Sequence, residues 1–385
     1  MLVSKFAQMK GPRNFRVIFL LVVLVVAGIG VVLREHRPSF LRPGLKLYAY
    51  VTTAGGSLAV VDLVKLSVVG RIAVGPQPTG LRAHPTRPEL WGASAPGGYL
   101  WVVSARAGQV AARIPVGPGP YAVDFSNDGR RAYSTASGSD TLLAIDCESH
   151  AILGRAKTGG GPVLVKATPD GKTLVVVNRR DDSLGIHDAA TLQERARVSV
   201  VAQPEDVAVL PDNSLAFVLS RTQERVSVVD LRRGLLLTNL GLAGRPSEMI
   251  LKPDGGELYV ISPEAHGLQV INTWTHEVGD YVLLGSTPTN GALLPDASGL
   301  YVSDEAADRI APVDIVNRKV MRPILAGSSP GALAFDSLER PNLLLAVNQA
   351  SGDLAVIRIS TENPALLTMI PVGDGAQEVA VKLFK

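Results

Sequence analysis

At 385 residues, with 46% apolar and 19% charged side chains, 38 Gly and 26 Pro, the chain is too apolar for a disordered polymer and too rich in turn formers for a coiled coil. Its formal charge of +3 is uneven, because residues 1–46 hold eight Lys and Arg against Glu35 alone; the remainder is mildly acidic, which argues against a nucleic-acid partner. The single cysteine, Cys147, excludes an internal disulfide.

Residues 1–16 read as a basic cytoplasmic tail carrying Lys5, Lys10, Arg13 and Arg16 and no acid. The uncharged run VIFLLVVLVVAGIGVVL follows at residues 17–33. As a helix rising ~1.5 Å per residue it spans ~26 Å, the short end of a bilayer crossing. The run predicts a transmembrane signal-anchor helix, with the body on the extracytoplasmic side, periplasmic or cell-surface. A cleaved leader, with Gly28-x-Gly30 as its small-residue site, is the alternative. Residues 34–45 form a linker.

From residue 46 to 385 the chain repeats. SLAVVD, YLWVVS, TLLAID, SLGIHD, RVSVVD, GLQVIN, RIAPVD and DLAVIR end at Asp62, Ser104, Asp146, Asp188, Asp230, Asn272, Asp314 and Arg358; six of the seven spacings are 42 residues and the last is 44. Pro78, Pro120, Pro162, Pro204, Pro246, Pro288 and Pro330 recur in the same register. Turns such as TPDGKTL and KPDGGEL form a third column, where Pro presets φ and Asp-Gly accepts a tight reversal. Each unit therefore reads as strand, Pro-Asp-Gly turn, strand, polar loop, strand, Asp-led turn, strand, a period typical of propeller blades. A four-stranded sheet this small cannot bury both faces alone, so the units must stack and the series must close. The body begins with a second strand at Lys46, and residues 376–384 supply a first strand without followers, so the two termini share one blade. The count is eight blades, with seven as the alternative, and the fold class is an all-β eight-bladed β-propeller preceded by one N-terminal transmembrane helix.

LYAYVTT, TLVVVNR, LAFVLSR, ELYVISP, GLYVSDE and LLLAVNQ, each followed by a V-x-V-I-D-like strand, resemble the YVTN-type β-propeller repeats of surface-layer-like and other exported bacterial proteins. The resemblance covers residues 46–385. It implies a propeller, usually of seven blades, and no particular activity. Similar blades build the eight-bladed haem d1 domains and the seven-bladed ring lactonases.

The polar column closing the second strands (Thr52, Ser94, Asn178, Ser220, Ser262, Asp304, Asn348) and the Asp column read as loop and turn caps. Gly327-x-Ser329-x-Gly331 imitates a nucleophile elbow but lies between blades rather than at a strand-to-helix turn. Gly159–Gly161 lacks the Lys-Ser or Lys-Thr sequel of a phosphate loop, and Cys147 has no redox or metal partner in sequence. The six histidines share no metal-ligand spacing. No catalytic set, metal site or cofactor is expected.

What remains is the loop face around the central opening, where charges replace small residues. Candidate ligand-binding residues are Arg179, Arg180, Asp182, Glu205, Arg221, Glu248, His266, Asp304 and Glu378. The expected function is an exported, membrane-anchored binding or scaffold module that holds a protein or small polar ligand on this face. A lactonase-like enzyme or a haem d1-type cofactor handler is the alternative.

Overall fold

The computed structural model describes residues 44–336, 341–359 and 364–385. Second and third strands such as Thr173–Asn178 and Ser183–Asp188 are buried along almost their whole length. Outer strands such as Ile152–Lys157 and Ala365–Pro371 alternate between half-buried and exposed positions. Strands apolar on both faces need a cover on both faces, and here the cover is the neighbouring blade.

Eight antiparallel sheets result. Blade 1 combines Lys46–Thr53, Ser57–Asp62 and Ser67–Ala73 with the C-terminal strand Val379–Phe384. Blades 2 to 8 run Pro78–Pro115, Pro120–Lys157, Pro162–Ser199, Asp206–Gly241, Glu248–Leu283, Pro288–Leu325 and Pro330–Pro371. In blade 1, Val379–Phe384 pairs antiparallel with Lys46–Thr53, from Lys46↔Phe384 to Val51↔Val379. It also lies against the inner strands of blades 8 and 2, which closes the ring. Blade 7 departs from the pattern, since its outer strand is broken into Lys319–Val320 and Ile324–Leu325 around Pro323.

The expected helical part of the fold class is corrected. Among the described residues no helix is long and apolar enough to cross a membrane, because their apolar runs are strands of at most eight residues cut by turns. A single 3-10 turn, Glu305–Ala307, is the helical element described there. The expected span at 17–33 lies outside the described residues.

Adjacent blades lock by a repeated fit. The turn between third and outer strands holds one residue at positive φ: His150 (59°), Leu192 (63°), His276 (59°) and Arg318 (54°). Each turn follows a capping acid or amide; Asp146, for example, accepts the N–H groups of Glu148 (3.1 Å) and Ser149 (2.7 Å). The turned-out side chain then meets an aromatic ring on the second strand of the preceding blade. His150 meets Trp91 edge-on at 5.5 Å, His276 meets Phe217 at 6.5 Å, and Arg318 lies over Tyr259 at 6.0 Å. Leu192 shares a core cluster with Tyr133.

His84 is a buried cap of a different kind. Its Nδ1 accepts the N–H groups of Thr86 (3.2 Å) and Arg87 (2.9 Å), which leaves Nε2 as the atom that donates to the Gly129 carbonyl of blade 3 at 2.9 Å. The Lys382 ammonium donates to the His84 carbonyl, tying the closing strand to blade 2.

Two outcomes are expected. Deleting residues 376–385 removes a whole strand with buried Val381 and Phe384, a loss on the order of 5 kcal/mol; thermal melts should become lower and less cooperative. Burial lowers the His84 pKa below 6.5. Its stabilisation is therefore complete above the unfolded value and drains away as pH falls through the folded one. In melts from pH 8 to pH 5, His84→Asn should show a shallower acid loss than the parent chain, and equal slopes would refute the assignment.

Candidate functional site

Two sets of loops meet on one face of the ring, those between second and third strands and those between blades. Inner strands enter from this face, so their first residues line the mouth of the opening. At equivalent positions, 42 residues apart, stand Gly80, Ala122, Leu164, Asp206, Glu248 and Asn290, with Glu378 at the same place in blade 1. Polar groups at the mouth are thus concentrated on blades 5 to 7 and on the closing strand.

The structure divides the expected site residues into three groups. Glu378 is a staple: its Oε1 accepts Gly80 N–H (3.0 Å) and its Oε2 accepts Leu81 N–H (2.7 Å), binding blade 1 to blade 2. Gly80 suits this contact because its φ is +63° and a Cβ would stand 2.5 Å from the Tyr121 carbonyl. Asp304, fully buried, is a loop anchor. It accepts Thr287 N–H (2.8 Å) and Ser286 N–H (3.2 Å) and pairs with Arg309 at 2.9 Å. Both acids are saturated by their own scaffold.

The second group ties loops yet stays accessible. Asp182 accepts Gln203 N–H at 2.7 Å, and Arg180 pairs with Asp140 at 2.6 Å. Asp140 also accepts Gly161 N–H at 2.8 Å. His266, exposed and at φ +57°, has its Nδ1 2.7 Å from the Ser286 carbonyl. That contact directs the N–H to Nδ1 and leaves Nε2 as the acceptor.

The third group converges. Glu205 is shared by two guanidiniums, Arg179 of blade 4 at 2.7 Å and Arg221 of blade 5 at 3.5 Å. Both arginines are about half exposed, whereas Glu205 is largely covered. The next residue, Asp206, opens the inner strand of blade 5, and the next inner strand opens with Glu248, whose Oε2 accepts Gly291 N–H at 2.6 Å. Burial pushes the Glu248 carboxyl up to about 7. The Gly291 bond opposes that rise, Asp206 adds to it through its negative charge, and Arg221 acts against it.

Sequence reasoning missed Asp206 and Asp140. Asp206 could have been found, because it occupies the column of Glu248 and Glu378. Asp140 could have been found through its column with Asp182 and Asp308, each of which accepts an N–H from the following inter-blade loop.

Other features fall away from the mouth. Ser329 donates to Glu305, and no histidine serves it as a base in any described hydrogen bond. Cys147 is buried, its thiol pushed up to about 12 by burial. Among the described residues no group of three or more His, Cys, Asp or Glu could hold a metal ion. A cleft of about 790 Å³ opens on the side wall between blades 7 and 8, not at the mouth.

The family model described as YNCE-like beta-propeller matches residues 99–299. The resemblance to YVTN-type repeats holds at the coarser level, as a β-propeller family. No curated protein matches the chain. Among solved structures, dihydro-heme d1 dehydrogenase NirN in complex with DHE is 16% identical, with a TM-score of 0.75 over 90% of this chain and 77% of that one. Hydrazine synthase of Kuenenia stuttgartiensis is 18% identical, with a TM-score of 0.58 over 74% and 96%. A functionally unknown protein from Desulfotomaculum acetoxidans is 13% identical, with a TM-score of 0.58 over 87% and 98%. At these identities the likeness is one of fold.

Glu248 yields a pH prediction with a defined sign. With its folded value raised from 4.5 to about 7, the carboxyl favours folding below 4.5, and that contribution is lost as pH rises through about 7. Glu248→Gln keeps an acceptor for Gly291 and cannot ionise. The variant should gain on the parent chain in melting temperature between pH 4.5 and pH 8, and a constant difference would show that Glu248 titrates normally.

Proposed function

The chain belongs to the YNCE-like β-propeller family, and we propose that it is a binding module whose loop face holds a polar ligand or protein segment at the mouth of the central opening. The observation that carries this reading is the bridge Arg179–Glu205–Arg221 across the seam of blades 4 and 5. Stability does not explain it. Exposed ion pairs contribute about 0–1 kcal/mol, and the equivalent positions elsewhere hold Thr53, Ala95 or Ser137 in place of the arginines. Two guanidiniums fixed by one carboxylate beside Asp206 and Glu248 form a pre-ordered set of donors and acceptors, which suits binding with little loss of side-chain freedom.

The site offers two kinds of contact. Arg179 and Arg221 can turn their outer N–H groups to an acceptor on the ligand, while Asp206 and Glu248 can take a cationic or hydrogen-bonding group. An extracytoplasmic location is part of the same proposal, supported by the Lys and Arg residues that precede the uncharged run at 17–33.

One observation favours a second reading, cofactor handling of the haem d1 kind. His266 has its Nδ1 hydrogen directed to a backbone carbonyl, the arrangement that leaves the other ring nitrogen free for a metal. The fold likeness to the dihydro-heme d1 dehydrogenase NirN supports it. An absorbance titration with added haem decides: a Soret shift lost in His266→Ala supports the second reading, and an unchanged spectrum removes it.

The leading reading is tested by crosslinking intact cells and recovering the chain. Glu205→Ala combined with Arg221→Ala should lower recovery of a specific partner at least tenfold, with a melting temperature near that of the parent. Recovery indifferent to these changes, or no partner at all, overturns it.

A further inference from the structure

The outward positions of the outer strands divide the side wall of the ring. On blades 1 to 4 one column reads Arg71, Arg113, Arg155 and Arg197; at the equivalent places on blades 6, 7 and 8 stand Tyr281, Pro323 and Met369. The arginines are busy with the blade framework. Arg71 donates to the Val372 carbonyl (2.6 Å) and Arg155 to that of Val116 (3.0 Å). On the apolar half only the Tyr281 hydroxyl, which donates to the Ala265 carbonyl, makes a tie of this kind among the described residues.

There, large side chains stand in solvent. Trp274 is 76% exposed, Leu325 73%, Leu283 67%, Met369 47%, and Tyr281 and Met321 45% each. They sit on or beside neighbouring outer strands of blades 6, 7 and 8. Together they amount to roughly 700 Å² of apolar surface, taking about 200 Å² for a large side chain. A soluble monomer's largest patch is about 300–600 Å², whereas each side of a standard interface buries about 800 Å². The wall is therefore large enough to be one half of a stable contact. The break at Pro323 also removes a continuous strand edge in blade 7, so a partner would meet side chains rather than extend the sheet.

Charges on the patch choose the partner. Glu277 stands exposed on blade 6, and Lys319 and Arg322 stand exposed on blade 7 without an ion pair to any described residue. Acid on one side of the blade 6 and 7 seam and base on the other is complementary to a second copy related by a two-fold axis running along that seam. An anionic lipid surface would meet Glu277 unfavourably.

We propose that the blade 6 to 8 wall is an interface between two copies of this chain, packed about a two-fold axis with Glu277 of each facing Lys319 and Arg322 of the other. The cleft between blades 7 and 8, lined in part by Tyr301, Pro312 and Leu366, gives the opposing wall a place to seat an apolar side chain.

Sedimentation velocity of the full chain across a dilution series tests this. A reversible dimer is expected. Leu283→Glu with Leu325→Glu should weaken it at least tenfold without lowering the melting temperature, since both side chains are exposed. Glu277→Lys alone should weaken it, and adding Lys319→Glu and Arg322→Glu should restore it. A monomer at every concentration, association indifferent to the leucine changes, or failure of the charge exchange to restore it would overturn the proposal. Sedimentation with phosphatidylglycerol vesicles that depends on Leu283 and Leu325, in a chain that stays monomeric, would give the wall to lipid instead.

Discussion

The second and third strands of every blade are apolar on both faces, and that one constraint organises the molecule. Val175 and Val177 lie in one core cluster and Leu174 and Val176 in another, on opposite sides of the same strand. Neither face tolerates water, so no blade is complete without two neighbours. An open row would leave two end faces bare; a circle leaves none. The shared blade follows from the same need, because the seam where the chain begins and ends must be as dry as the others. Val381 and Phe384 are buried there.

Stacking alone would let the blades slide. At four seams the turn residues at positive φ prevent it, with chemistry that differs from one seam to the next. Where the preceding blade offers Trp91 or Phe217 the plug is histidine, where it offers Tyr133 the plug is leucine, and where it offers Tyr259 the plug is arginine, held further by Asp280 at 3.0 Å. The backbone geometry is constant and the side chains vary in complementary pairs. Inner strands add a second set of ties on the loop face, in which Glu378 and Glu248 take N–H groups from the next blade. The ring is thus fastened near its rim and near its axis by separate devices.

Periodicity made the repeat, the blade count and the turn chemistry legible in the sequence, because a 42-residue period fixes which residues occupy equivalent places. Asp62, Asp146 and Asp314 are turn caps as their column implied. Ser94 and Ser262 accept the N–H groups of Gly97 (3.3 Å) and Ala265 (3.2 Å) in the loops that follow them, the capping role read from their column, and also donate to the inter-blade carbonyls of Pro76 and Arg245. The helical part of the expected fold class rested on residues 17–33 alone, a segment to which the repeat says nothing. Site residues were harder to read for a related reason. A column states where a side chain starts and not where its tip arrives, so Asp304 and Glu378, which turn back to cap loops and strands, look the same in sequence as Glu205, which reaches across a seam. Asp206 is masked in the sequence by Glu205 immediately before it, although Asp206 opens the inner strand and Glu205 lies in the loop that leads into it.

The division of labour among the acids bears on function. A carboxylate that accepts two backbone N–H groups is held in one orientation and has little capacity left for a ligand. Glu378 and Asp304 are of this kind, and the ring needs them. Glu205 instead has two arginines as partners, and arginines can exchange one acceptor for another without leaving a buried donor unsatisfied, since both are about half exposed. The free-energy cost of redirecting Arg221, held at 3.5 Å, is small on the scale of a charge-assisted bond. The seam of blades 4 and 5 is therefore the part of the loop face where a ligand can be met without dismantling the scaffold. The saturated acids on either side keep that seam in place while its partners change.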